Sequence, residues 1–377
     1  MGKRSTPEFA IQWTKSTTGI LFTWPESPKA TRTIVIILKI GWWVFLTVAA
    51  LQIMLSFYTA CRVRNSFMQL IHNLFDTFSM VQVVFRMIIG KHHHHRFQYL
   101  IEEIESFMLN ANAHEREVLS RCVKRVAPFH LSYNILAISA SLGYILGPVT
   151  LERSLPNKLE YPFAVDEHPT YDIVYLWESI GVIQCYCSTA FICQVSLLLW
   201  YGTIQLEILA GKMKKVSSAQ ELKEYINIHH HILWYIDESI KTVRPVVLTT
   251  VAMATLTILC GEITIVGNGP IVEKMQFVVI VVAYSIELLC VAWAAESLTT
   301  ACEDVGWELY NSPWLQNSKE LNRAAIFVMQ RCQNPPVIAI SGLLPKLSMS
   351  WYATYISSTY SFFTTLRVIL RKIEDDL

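Results

Sequence analysis

Near the end of the chain, five hydroxyl side chains stand at spacings that can line a water path. Ser350, Thr354, Ser357, Ser361 and Thr364 are separated by 4, 3, 4 and 3 residues, and Val368 continues the row. In a helix these positions lie above one another on one face. The other faces of KLSMSWYATYISSTYSFFTTLRVIL, residues 346–370, carry Trp351, Tyr352, Ile356, Tyr360, Phe362, Phe363, Leu366 and Ile369. The segment is long enough to cross a bilayer, since ~20 mostly apolar residues at ~1.5 Å rise span the hydrocarbon. One hydroxyl stripe on an otherwise bulky helix suits a pore lining, with water or ions against the stripe and lipid or other helices elsewhere. Membrane Ser and Thr also bond back to the i−4 carbonyl or hold helices together, so the stripe alone leaves both roles open.

Other residues with chemistry are fewer. Glu178, Glu262 and Glu287 fall in or near apolar runs, where an ionisable group is costly and faces a cavity or a partner. Lys39, Arg86, Lys346 and Arg367 also lie within such runs. His92–His95 and His229–His231 form histidine runs in polar stretches. A bare run does not specify the geometry or outer partners that a metal needs, so a solvated face is the expectation. The nine cysteines are dispersed, with no CxxC and no zinc spacing. Neither a disulfide framework nor a metal or cofactor is expected.

The elements that must position these residues follow from composition. The chain has 377 residues, 53% hydrophobic and 16% charged, with mean hydropathy +0.35. Soluble domains average about 25% charged residues, so this is the composition of a polytopic membrane protein. A net charge of +1, with no basic tail, excludes a nucleic-acid partner from the expectations. The first apolar run follows a polar segment, so no cleavable signal peptide is expected. Seven runs have spanning length: Thr33–Tyr58, Phe67–Ile89, Pro128–Leu146, Ile173–Tyr201, Val246–Val266, Met275–Ala295 and Lys346–Leu370. With the N-terminus cytosolic, 20 Lys and Arg fall in inner segments and 7 in outer ones. The positive-inside rule therefore predicts an inner N-terminus and an outer C-terminus.

The inner loops are patterned as amphipathic helices. Phe97–Asn110 places Leu100, Ile101, Ile104 and Phe107 on one face, and Ser218–Ile236 and Asn317–Arg331 show similar spacing. The fold class expected is therefore an all-α membrane protein of seven transmembrane helices with a cytosolic helical anchor layer. Its divisions are a cytosolic arm at 1–32, spans one to six at 33–295, anchor helices at 296–342, and a seventh span with a short extracellular tail at 343–377. Asn334-Pro335-Pro336 marks the break before the last span.

The residue motifs lie at the C-terminal end. TYSFFTTLR (359–367), preceded by GLLPKLSMSWY (342–352), resembles the ending of the insect odorant receptor family. The outer-loop run YPFAVDEHPTYDIVY (161–175) is similar to receptors from ants, bees and wasps. In the related gustatory class a Gln-Phe pair stands where Leu366 and Arg367 stand here, which favours the odorant branch. The resemblance implies a ligand-gated, non-selective cation channel in the plasma membrane of olfactory neuron dendrites. It also implies a heterotetramer with the shared co-receptor, each subunit lending its seventh helix to one pore. The co-receptor carries a long cytosolic loop that this chain lacks, so the chain reads as the odorant-binding tuning subunit.

Two sets of site residues follow from that resemblance. The pore set is Ser357, Ser361, Thr364 and Val368, with Val368 or Thr364 near a hydrophobic constriction that gates by dewetting. Thr365, Leu366 and Ile369 form the competing set. The odorant set lies in the outer halves of helices two, three, four and six. It comprises Phe75, Phe78 and Ser79 on the second, and Ser141 and Tyr144 on the third. Tyr175, Ser179, Ile183 and Tyr186 stand on the fourth, and Phe277, Ile280 and Tyr284 on the sixth. A small volatile calls for an apolar cavity with few polar groups, and aromatic rings with Tyr or Ser hydroxyls supply both. Aromatics at helical spacing also serve as ordinary helix packing. A G-protein-coupled receptor predicts an outer N-terminus and an Asp-Arg-Tyr or NPxxY motif, neither of which is present. A transporter predicts paired broken helices, against one Pro-Pro break here. No nucleophile–base or metal constellation points to an enzyme.

Overall fold

The computed structural model describes residues 6–21, 23–24, 31–64, 66–150, 155–157, 159–267, 269–314, 319–340, 342–343 and 345–375. Apolar runs bounded by Pro, Gly and capping residues fold into eleven helices among the described residues. These are α1 (Pro7–Gly19), α2 (Arg32–Arg62), α3 (Phe67–His92), α4 (His94–Asn110), α5 (Ala113–Ile145), α6 (Gly147–Thr150), α7 (Thr170–Met213), α8 (Ala219–Val266), α9 (Ile271–Tyr310), α10 (Lys319–Cys332) and α11 (Met349–Asp375). The fold is all-α, and each of the seven apolar runs coincides with a different helix.

Four helices, α2, α7, α8 and α9, are long and apolar enough to cross a membrane by length and composition. The helices α3, α5 and α11 are more polar for a physical reason. In α3 the polar side chains Asn73, Thr77, Gln82 and Arg86 turn inward and are buried among other helices. In α11 the hydroxyl stripe dilutes the apolar content.

Helix length is where the sequence expectation needs correcting. Ser218–Ile236 and Val246–Val266 read as separate elements, yet α8 runs through both without a break, across Pro245. At ~1.5 Å per residue a helix of 48 residues is ~70 Å long, more than twice the ~30 Å hydrocarbon thickness. The helices α7 and α9, of 44 and 40 residues, are similar. The boundary expected at residue 295 therefore falls inside one continuous helix. In α8 the residues on either side of Pro245, Val243, Val246 and Val247, are buried, so packing holds the helix together across the proline.

The polar arm at 1–32 also contains a helix. Pro7 takes the first position of α1, and the Thr6 hydroxyl accepts from Phe9 N at 3.3 Å, the usual start of a helix. Its buried face packs on α7 and α5. The first turn of α5 is closed by a capping box, Asn112 with Glu115.

The bundle has two ends. At the base, the C-terminal halves of α7 and α9 pack with the N-terminal half of α8, with α4, α10 and the start of α5. One large apolar cluster fills this region, including Phe97, Leu100, Ile104, Leu206, Tyr235, Val305 and Ala325. At the upper end, the apolar interior divides into two smaller clusters. One joins α3, α8 and α9 through Phe75, Ile258, Phe277 and Tyr284. The other joins α2, α3 and α7 through Trp42, Met80, Val83 and Cys187.

Candidate ligand cavity and candidate pore helix

The two upper clusters leave space between them. A cavity of about 110 Å³ opens there, walled by α3, α5, α7 and α9. These are the second, third, fourth and sixth of the apolar runs. A single buried water needs roughly 10–15 Å³ on this measure, so the space is several times larger than a solvent void. Side chains keep it open because several wall positions are small: Ala137, Ala140 and Ala283.

Seven of the sequence-derived ligand residues line this cavity. They are Phe75 and Ser79 of α3, Ser141 and Tyr144 of α5, Tyr186 of α7, and Ile280 and Tyr284 of α9. The other five lie outside its lining. Phe277 is buried below His72 and Phe75, with ring centroids 5.2 and 4.8 Å away. Phe78 packs against the α3–α8–α9 cluster. The Tyr175 hydroxyl donates to the Ile145 carbonyl at 2.6 Å, tying α7 to the end of α5. Ser179 donates back to the Tyr175 carbonyl. Ile183 is 42% exposed on the outer face of the bundle. Helical phase explains these positions, since a shift of one or two residues rotates a side chain away from the space.

Polar groups in the wall are few and mostly tethered. The Tyr284 hydroxyl donates to Ser79 Oγ at 3.4 Å, and the Tyr144 hydroxyl to Asp76 Oδ1 at 3.4 Å. The Tyr133 hydroxyl donates to the Thr189 carbonyl at 3.2 Å. Across the upper end, Asn157 N donates to Glu178 Oε2 at 2.7 Å, and the Tyr161 hydroxyl donates to Glu178 Oε1. Burial, reinforced by the Glu178 carboxylate, holds the Tyr161 phenol well above its ordinary range. Glu160 N donates to Thr59 Oγ1 at 3.0 Å. The loop over the cavity is thus pinned to both α2 and α7.

The floor is charged. Glu287 lines the cavity and forms an ion pair with Arg86, both side chains 0% exposed. Arg86 also donates to Thr250 Oγ1 at 3.1 Å and to the Ser188 carbonyl. One guanidinium therefore joins α3, α7, α8 and α9 beneath the cavity. Glu287 thus faces the cavity and also has a charged partner on another helix. Arg86, Asp76, Tyr133, Met80, Cys185 and Thr189 are wall or floor residues that the sequence reading left out. A signal for the first existed: two opposite charges in separate apolar runs each need a partner.

The stripe on α11 faces outward. Ser357, Ser361 and Val368 are exposed on the single chain, Val368 at 54%, and Thr364 is half-buried. The hydroxyls of Thr354, Ser361 and Thr364 donate back to the carbonyls of Ser350, Ser357 and Ser361 at 3.0, 2.9 and 2.9 Å. A hydroxyl that spends its proton this way presents oxygen lone pairs outward. The opposite face is held to the bundle. Tyr355 hydroxyl and Thr255 Oγ1 are 3.0 Å apart, and Met349 N donates to Glu296 Oε2 at 3.1 Å. Tyr352 and Tyr355 pack in the same cluster as the cavity residues Phe75, Ile280 and Tyr284.

Membrane-length apolar helices around a largely apolar cavity define a helical membrane protein with room for a small molecule. The chain belongs to the 7tm odorant receptor family, whose profile matches residues 66–360. That is a family of receptors rather than enzymes. Odorant receptor 9a of Drosophila melanogaster is 22% identical over 253 residues, a match spanning 63% of each chain. Odorant receptor Or2 of Anopheles gambiae is 22% identical over 321 residues, 79% of this chain and 84% of its own. The fold is similar to that of olfactory receptor OR5 from Machilis hrabei, solved in complex with eugenol. The TM-score is 0.82 at 14% identity, over 96% of this chain and 98% of that one.

Proposed function

We propose that this chain is the odorant-binding tuning subunit of a ligand-gated, non-selective cation channel formed with the shared odorant co-receptor. The observation that carries the reading is the cavity between α3, α5, α7 and α9, apolar in its walls and furnished with a few tyrosine and serine hydroxyls. Such a space suits a small volatile with one or two polar atoms. In this reading α2, α3, α5, α7, α8, α9 and α11 are the seven spans, in a plasma membrane of olfactory neuron dendrites. The N-terminus and the base are cytosolic, and the cavity lies in the outer half of the bilayer.

The exposed stripe of α11 is the subunit's share of a central pore. Ser357, Ser361, Thr364 and Val368 face the axis, with the constriction at Val368 or Thr364. Back-bonded hydroxyls turn acceptor oxygens to the path, which favours cations over anions. Ligand and pore communicate through α9 and the cluster that contains both Tyr284 and Tyr355. Binding shifts the population toward the open arrangement only by its difference in affinity for the two states.

Whole-cell current tests this directly, in cells expressing this chain, the co-receptor, or both, against a mixed odorant panel. Current evoked only with both subunits is the expected result. No current from surface-expressed pairs, with a response instead in a G-protein assay, overturns the reading. Within a responding pair, Tyr284→Ala shifts potency and leaves resting current unchanged, whereas Val368→Ala raises resting current or alters conductance. Effects on potency alone from both changes would remove the assignment of separate pocket and pore.

A further inference from the structure

The solvated face expected of the 229–231 run holds for His230 and His231, which are exposed, but His229 turns inward and meets two of the cysteines in the base. His229 of α8, Cys302 of α9 and Cys332 at the end of α10 are 4%, 0% and 2% exposed. The imidazole nitrogen and both sulfurs lie within 4.8 Å of one another, and Cys332 Sγ is 4.0 Å from His229 Nε2. We propose that these three side chains form a zinc site that fastens α10 to the two long helices of the base.

The donor set suits the ion. Zinc takes thiolate and imidazole ligands, and two cysteines with one histidine leave one coordination position for water or another small donor. Tetrahedral bonds of ~2.3 Å to sulfur and ~2.0 Å to nitrogen place S and N ~3.6 Å apart, so the observed pair needs to close by roughly half an ångström. The charges also balance. Two thiolates and a neutral imidazole around a divalent cation sum to zero, the only total that a dry interior tolerates cheaply. A monovalent copper ion in the same set would leave one buried negative charge. Binding releases the two thiol protons to solvent and changes no oxidation state.

Local packing prepares the approach of α10. Gly306 lies one turn beyond Cys302 on α9, and a side chain there would place its Cβ 2.9 Å from the Cys332 Cβ. The absence of that atom lets the end of α10 sit against α9. The segment after Cys332 leads through a backbone bond from Leu347 N to the Ile338 carbonyl, 3.0 Å, into α11. Zinc would therefore hold the end of α10, from which the chain runs on to the candidate pore helix. The metal site stands whether or not that helix lines a pore.

The test uses the full-length receptor purified in detergent under reducing conditions with zinc in the growth medium. Elemental analysis is expected to find about one zinc per chain. Cys302→Ser and Cys332→Ser lose it, and His230→Gln, at the exposed neighbour, keeps it. Should the cysteine variants fail to fold, metal-stripped wild-type protein gives the same answer. Added zinc then slows alkylation of Cys302 and Cys332, and cobalt gives a thiolate charge-transfer band. Zinc far below one per chain together with alkylation indifferent to zinc overturns the proposal.

Discussion

The base and the upper end of the bundle are built from the same long helices but packed to different purposes. In the base, α7, α8 and α9 meet α4, α5 and α10 around one continuous apolar cluster with fully buried Phe97, Leu206, Val305 and Ala325. In the upper end, the interior is split in two, and small residues hold open a cavity above a buried ion pair. The difference teaches where deformation is possible. A close-packed interior transmits displacement as a rigid body, whereas a cavity can change shape with its occupant. In the function proposed above, ligand energy enters at the yielding end and the solid end holds the helices in register.

The largest effect that tests this contrast is expected at the ion pair. Glu287→Gln or Arg86→Met alone leaves one buried charge unpaired, at a cost of about 3–5 kcal/mol. Thermal unfolding of the solubilised receptor should fall sharply for each, and the double change Arg86→Met with Glu287→Leu should recover much of the loss. If the single changes are silent, the pair is not the structural floor of the cavity.

Next come matched enlargements at the two ends. Ala325→Leu inserts atoms into the filled base and should destabilise by about 1–3 kcal/mol. Ala137→Leu fills existing space, so stability should hold while the odorant response collapses. Equal losses of stability at both sites would erase the distinction between a packed base and an open upper end. Conversely, Phe97→Ala should cost about 3–5 kcal/mol of stability with little change in odorant potency among the molecules that fold.

The smallest effects concern single hydroxyls. Tyr284→Phe removes a 3.4 Å bond to Ser79 in the wall, and Tyr355→Phe removes the 3.0 Å contact between α11 and Thr255. Each bond contributes about 0.5–1.5 kcal/mol. The first should change dose–response midpoints among odorants of different polarity. The second should change maximal current or its time course at unchanged ligand selectivity. Identical phenotypes would mean that wall and α11 contact act as one unit.

Much of the site was legible in the sequence at the level of elements. The hydroxyl spacing 350–364 already drew the stripe that α11 displays, because helical period alone sets which residues share a face. The four helices that wall the cavity were also the four expected. Individual residues were less legible. Phe75, Ser79, Ser141, Tyr144, Tyr186, Ile280 and Tyr284 reach the space, whereas Phe277 and Ile183, of similar chemistry, face a neighbouring ring or the outer surface. The decisive variable is the rotation of each helix against its neighbours, which no periodicity within one segment encodes.

Apolar content and helical period, read from the sequence by itself, determined an all-helical membrane-type chain, the places of its apolar runs, the amphipathic helices of the base and the hydroxyl face of α11. Tertiary structure alone decided three things. It fused the expected loop helix with its span across Pro245, because packing on both sides outweighs the local cost of a proline. It brought Arg86 to Glu287 and His229 to Cys302 and Cys332, contacts between residues far apart in sequence. And it left a cavity where side chains from four helices face one another, since empty space is a property of the assembly and is carried by no single residue.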